Sequence, residues 1–150
     1  MSQSRETQRK SEPQLADYPH RVNDVIRYGD LDPQGHVNNA VFATYFESGR
    51  VAMFRNEDLS IGVDNATLVL VRQEIDFLRE LRWPGDVVIG TALAAFGRTS
   101  FTVAQAIFHD GACAAVGRAT MVMLDTTTRR PRPLAPAEIA RLEQWKHRGA

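Results

Sequence analysis

Between Ala66 and Leu124 the chain runs through long apolar-rich stretches joined by connections too short to hold a helix. That pattern limits the fold more than any other feature, because a parallel sheet needs crossovers of about a dozen residues or more. The stretches are Ala66 to Leu78, Val87 to Phe96, Phe101 to His109 and Ala112 to Leu124. Trp83-Pro84-Gly85-Asp86, Gly97-Arg98-Thr99-Ser100 and Asp110-Gly111 separate them, and the Asp-Gly pair is the strongest short hairpin signal in the chain. An antiparallel, strongly curved sheet follows. In the first stretch Arg72, Glu74 and Asp76 alternate with Gln73, Ile75 and Phe77, as two faces of one strand require. Small residues, among them Ala92, Ala94, Ala104, Ala106, Ala114 and Ala115, would let a helix lie close to the concave face.

One segment is suited to be that helix. From Ala40 to Phe54 the apolar positions Phe42, Tyr45, Phe46, Gly49, Met53 and Phe54 recur at three- and four-residue steps. Asn38 or Asn39 is placed to cap its start. Gly49 costs about 1 kcal/mol of helix propensity relative to alanine, so close packing is its expected compensation, with Ala43 and Ala52 also small. A short extended segment is expected from His20 to Tyr28, and an amphipathic helix from Pro136 to His147 carrying Ile139, Leu142 and Trp145. Residues 1–17 offer few apolar side chains to offset the entropy of ordering them and read as a flexible arm. The expected organisation is an arm at 1–17, a domain at 18–128 and a tail at 129–150, in the α+β class. One helix does not cover both faces of a five-stranded sheet, so a homodimer is expected.

Composition removes several function classes. Eighteen basic and eighteen acidic residues cancel, and the electrostatic footprint of nucleic-acid binding is missing. No apolar run approaches the roughly 20 residues of a membrane helix, and the first residues lack an apolar signal core, so the expected compartment is cytoplasmic. The single cysteine, Cys113, excludes an intramolecular disulfide and reads as a small core hydrophobe. His20, His36, His109 and His147 lack zinc-site spacing, and neither a metal nor another cofactor is expected. Arg129, Arg130 and Arg132 read as a solvated turn, with contact to an anionic ligand as the alternative.

Chemistry is expected in the loop from Tyr28 to Asn39. Asp30 and Asp32 lie two apart among glycine and proline, immediately before the helix. Either is suited to a turn-forming role through bonds to nearby amides. Alternatively, one carboxylate activates water in a pocket where the first amides of the helix stabilise a developing oxyanion. His36 is suited to general-base work or to tying the loop together through its ring. Glu47 and Arg50, three apart on the helix, fit a modest ion pair; otherwise Glu47 is a pocket carboxylate rivalling Asp32.

The block Tyr28-Gly29-Asp30-Leu31-Asp32-Pro33-Gln34-Gly35-His36-Val37-Asn38-Asn39, continuing into Tyr45-Phe46-Glu47-Ser48-Gly49-Arg50, resembles the hotdog-fold acyl-CoA thioesterases of the 4-hydroxybenzoyl-CoA thioesterase type. The resemblance spans about His20 to Leu124. It implies a curved five-stranded antiparallel sheet wrapped around a long central helix, and a dimer or a dimer of dimers. It further implies that Asp32 is the nucleophile or general base and that the backbone amide of Asn39 polarises the thioester carbonyl. Gly35 would let the loop pass close to the substrate, while Asn38 and Asn39 replace the aromatic residues of the aromatic-substrate enzyme and leave the acyl group open. The partner so implied is an acyl-CoA, whose phosphates would meet basic residues such as Arg72, Arg98 and Arg118. A hotdog enoyl-thioester hydratase or dehydratase and a non-catalytic acyl-CoA binding module are the alternatives.

Overall fold

A computed structural model describes residues 11–61 and 65–149. The elements run β1 (His20–Val25), α1 (Asn39–Phe54), β2 (Ala66–Phe77), β3 (Asp86–Phe96), β4 (Ser100–His109), β5 (Ala112–Asp125) and α2 (Pro136–Glu143). All pairings are antiparallel and the strand order is β1-β3-β4-β5-β2. The sheet curls around α1 without closing into a barrel. This is the hotdog fold that the family resemblance implies.

Local chemistry explains the turns. Asp110 and Gly111 both adopt positive φ, 49° and 78°, the geometry of the two-residue hairpin turn that matches strand twist. His109 then pairs with Ala112 across it. Beta-bulges interrupt β2 near Val71 and β3 near Ala94, and such insertions increase local bending.

The helix sits on the sheet through Gly49. A Cβ at that position would stand 2.6 Å from Ile89 Cγ2 and 3.0 Å from both Gln105 Nε2 and Thr91 Oγ1. Gln105 fastens the contact: its amide donates to the Phe46 carbonyl and to Thr91 Oγ1, both at 2.9 Å. The expected Glu47–Arg50 ion pair is not formed. Phe42, Phe46 and Arg50 share one row of the helix, which faces the sheet, so Arg50 is only 3% exposed and donates to Gln105 Oε1 at 3.2 Å. Glu47 lies on the exposed side.

Two segments outside the sheet and α1 complete the packing. Leu142 and Leu134 are buried with Met53, Phe101 and Met123, and Ile139 and Trp145 lean on the same cluster. Arg132 of the expected solvated arginine turn binds Glu138 through both carboxylate oxygens at 3.2 Å. On the opposite face of the sheet, Leu15 and Tyr18 pack against Ala92, Ala106, Phe108 and Cys113. Gly90 makes room there, since a Cβ would meet Tyr18 at 2.7 Å. Of the expected arm, 1–10 lies outside the described residues, whereas Leu15–Asp17 form a short 3-10 turn on this face. Cys113 is buried among apolar neighbours, and that burial pushes its thiol up. No described helix is long and apolar enough to cross a membrane.

Candidate active site

The loop before α1 is a short tied structure. Leu31 bridges Val37, the Asp32 amide donates to the His36 carbonyl at 2.7 Å, and the Gly35 amide returns to the Asp32 carbonyl at 3.0 Å. Gly35 has φ of 81°, a conformation that disfavours any residue with a Cβ. Asn38 N closes the loop further on the Asp30 carbonyl at 2.9 Å, and Val37 N attaches it to the rest of the chain through the Leu81 carbonyl at 2.8 Å.

The two aspartates are separated by their partners. Asp30 Oδ2 accepts from the Arg27 amide at 3.0 Å and from Tyr45 Oη at 3.3 Å, so it ties the loop to the helix. Burial, reinforced by that carboxylate, pushes the Tyr45 phenol up. Asp32 spends one oxygen on the loop: Oδ1 accepts from the Gln34 amide at 2.9 Å and the His36 amide at 3.1 Å. Its Oδ2 has no hydrogen-bond partner among the described residues.

The start of α1 is treated the same way. Asn38 caps the helix, with Oδ1 accepting from the Ala40 amide at 2.9 Å, and Val41 N reaches the Asn38 carbonyl at 2.9 Å. The N–H of Asn39, the first helical residue, has no partner among the described residues. Asp32, His36 and Asn39 line one cleft of about 300 Å³, together with Phe42 and the chain from Phe77 to Glu80 that follows β2. Asp32, with one carboxylate oxygen unengaged, and Asn39, with its N–H unengaged, therefore line the same cleft.

His36 is held from the other wall. Its Nε2 lies 3.1 Å from Glu80 Oε2 and 3.0 Å from Arg82 Nη2. Whichever tautomer is present, that nitrogen is engaged and ties the loop to the β2–β3 connection.

The remaining expected residues do not gather here. Glu47 does not line the cleft. Arg72 and Arg118 border a shallow groove on the outer face of the sheet with Thr102 and Thr120, where Arg72 is paired with Glu74. Arg98 is exposed in the β3–β4 turn, and its carbonyl accepts from Leu134 N at 3.1 Å. Residues 77–82 of the second wall carry no visible motif. Their only signal in the sequence is position, between a strand end and the Trp83-Pro84-Gly85 turn. Among the described residues, no three His, Cys, Asp or Glu side chains are grouped to hold a metal ion.

Comparison with known proteins supplies the class. Residues 26–142 match the model of the thioesterase-like superfamily, and the chain belongs to that family of hotdog-fold proteins. A thioesterase from Thermus thermophilus, crystallised with coenzyme A and Zn, is 35% identical with a TM-score of 0.76, over 87% of this chain and 96% of that one. A predicted thioesterase from Bacillus stearothermophilus is 28% identical with a TM-score of 0.75, over 85% of this chain and 96% of the other. The PA5185 protein of Pseudomonas aeruginosa, 23% identical with a TM-score of 0.78 over 91% and 97% of the two chains, shares the fold. Among curated proteins, YsmA of Bacillus subtilis (strain 168), itself uncharacterized, is 27% identical over 78 residues. That match covers 52% of this chain and 53% of YsmA, so the chain spans about half the length of the curated relative it matches.

Proposed function

We propose that this chain hydrolyses an acyl-CoA thioester to a carboxylic acid and free CoA, with Asp32 as general base. The observation that carries the reading is that Asp32, whose Oδ2 is unengaged, and Asn39, whose N–H is unengaged, line one cleft. The thioester carbonyl oxygen would sit at the Asn39 N–H, where the helix start also favours negative charge. Asp32 would take a proton from water as the water oxygen bonds to the carbonyl carbon. Collapse of the tetrahedral intermediate then breaks the carbon–sulfur bond, and the departing thiolate recovers a proton. Direct attack by Asp32 would instead pass through a mixed anhydride that water opens. The two amides on Oδ1 hold the carboxylate in place for either route. His36, fixed by Glu80 and Arg82, acts as a positioning residue, and Glu47 is given no chemical part.

Membership of the thioesterase-like family and the likeness to a thioesterase bound to coenzyme A support CoA as the carrier. Arg72, Arg98 and Arg118 stand away from the cleft, so they would reach CoA phosphates only across a subunit boundary. Among the described residues β1 and β2 are the edge strands of the sheet, each paired on one side, which fits a homodimer or a dimer of dimers. The test is thiol release from a series of acyl-CoAs. Hydrolysis is expected, and Asp32→Asn should lower the turnover number by about 10²- to 10⁴-fold, the usual range for a general base, with the melting temperature little changed. Unchanged turnover in the folded variant removes Asp32 from the mechanism. Consumption of an enoyl thioester without thiol release would assign a hydratase instead.

A further inference from the structure

Tyr45 fills a core position with a residue that carries a hydroxyl. It is 1% exposed and belongs to the cluster of Ile26, Val37, Phe42 and Leu81, where a phenylalanine ring would serve the packing as well. A hydroxyl taken into such a place costs free energy unless it is bonded. The partner is Asp30 Oδ2, at 3.3 Å and 15 residues away in the chain. Burial, reinforced by that carboxylate, pushes the phenol up, so the proton stays on Oη and the bond goes to a charged acceptor. Helical side chains lean toward the N-terminus, which lets a residue in the second turn of α1 reach a loop that precedes the helix.

Asp30 is the hub of that loop. Its carbonyl accepts from the Asn38 amide at 2.9 Å, its amide donates to the Arg27 carbonyl at 3.0 Å, and its Oδ2 accepts from the Arg27 amide at 3.0 Å. Asp30 thus joins the entry of the loop to its exit, and Tyr45 joins both to the helix. The other side-chain tie of the loop, from His36 to Glu80 and Arg82, ends on exposed groups, where ion pairs contribute little. Among the described residues, no other side chain of α1 bonds to the loop.

We infer that Tyr45 and Asp30 are positioning residues, whose bond fixes the Asp32 loop against the start of α1. This rests on the hydrolase reading above and deepens it. The helix that presents the Asn39 N–H also holds, through Tyr45, the loop that carries the base. Neither residue lines the cleft, so neither touches the reacting atoms.

The test compares the native protein with Tyr45→Phe, which removes one oxygen and keeps the ring, and with Asp30→Ala and Asp30→Asn. Two quantities are measured: hydrolysis of a series of straight-chain acyl-CoAs, and hydrogen exchange of the loop amides by NMR. Tyr45→Phe should lower the turnover number by about 10- to 10²-fold, the scale of a displaced reacting group, with KM and melting temperature little changed. Asp30→Ala, which also frees the Arg27 amide, should fall at least as far, and adding Tyr45→Phe to it should cost nothing more. Asp30→Asn keeps an oxygen acceptor and should recover part of the loss. In Tyr45→Phe the Asn38 amide should exchange about tenfold faster, the factor that one ordinary hydrogen bond represents, while the Val37 amide, bonded to Leu81, keeps its protection. Unchanged Asn38 exchange, unchanged turnover in Tyr45→Phe, losses that multiply in the double variant, or faster exchange spread through α1 would each overturn the inference. If the native protein releases thiol from no acyl-CoA while Asn38 exchange still rises in Tyr45→Phe, the tie stands and the hydrolase reading falls.

Discussion

Two polar assemblies lie along α1, and they are built to opposite rules. In the middle of the helix, Gln105 engages the Phe46 carbonyl, Thr91 and Arg50, and Gly49 removes the Cβ that would hold the surfaces apart. Its groups are buried, and the amide of Gln105 has spent its donors and its acceptor on the protein. At the start of the helix, Asp32 and Asn38 satisfy the loop, yet among the described residues Asp32 Oδ2 and the Asn39 N–H stay unengaged, and both residues line a cleft. Closed polar networks hold elements in place, because an unpaired buried group costs about 1–3 kcal/mol. An open one at the surface carries no such penalty in the resting protein, since water serves it, and it remains available to a substrate. The contrast supports the proposal that the helix start serves chemistry, while its middle serves structure.

The sharpest way to break this contrast is to remove the backbone donor itself. Asn39 is the first helical residue, where proline is tolerated, and Asn38 already has the extended ψ of 138° that a following proline requires. Asn39→Pro should therefore fold normally and lose roughly 10²- to 10³-fold in turnover number, about 3 kcal/mol, as for other lost oxyanion donors. Retained turnover would show that the oxyanion is held elsewhere. The middle assembly should respond in the opposite sense. Gln105→Leu leaves Arg50, Thr91 and the Phe46 carbonyl without their partner and is expected to cost about 1–3 kcal/mol in urea denaturation. If activity per folded molecule fell as far as in Asn39→Pro while stability held, the division between the two regions would fail.

The smallest effect concerns pH. Burial lowers the pKa of His20 below its ordinary 6.5, so the unfolded chain binds the proton first as pH falls. His20 should subtract from stability as pH drops below about 6.5, with the loss levelling off once pH passes below its folded pKa. His20→Phe should flatten that part of the melting-temperature profile and leave the activity of the distant cleft unchanged. A profile identical to that of the native protein would show that His20 is not the group responsible.

Much of this arrangement is legible in residue order. Gly49 in a long apolar helix signals a close approach before the contact with Ile89 is seen, and Asp110-Gly111 announces its hairpin. The contiguous loop motif carries the family resemblance that singles out Asp32 and Asn39, and the amides two and four residues on that bind the Asp32 carboxylate are local contacts as well. Arg50 is different. Three-residue spacing from Glu47 suggests a surface pair, but the side chain follows its helical row onto the sheet, where Gln105 waits 55 residues away. The second wall of the cleft is equally invisible in the sequence, since Phe77, Leu78 and Glu80 reach the site only through the pairing of β2 with β5 at the edge of the sheet.

Sequence alone thus determined the strand and helix order, the antiparallel hairpins, the loop that carries the proposed chemistry and the family the chain resembles. All of these rest on local propensity, turn chemistry or a contiguous motif. Tertiary structure decided which of the two aspartates lines the cleft, what Arg50 binds and which other residues line that cleft. Those outcomes depend on contacts between residues far apart in the chain, and the curvature of the sheet that brings them together is a property of the packed whole.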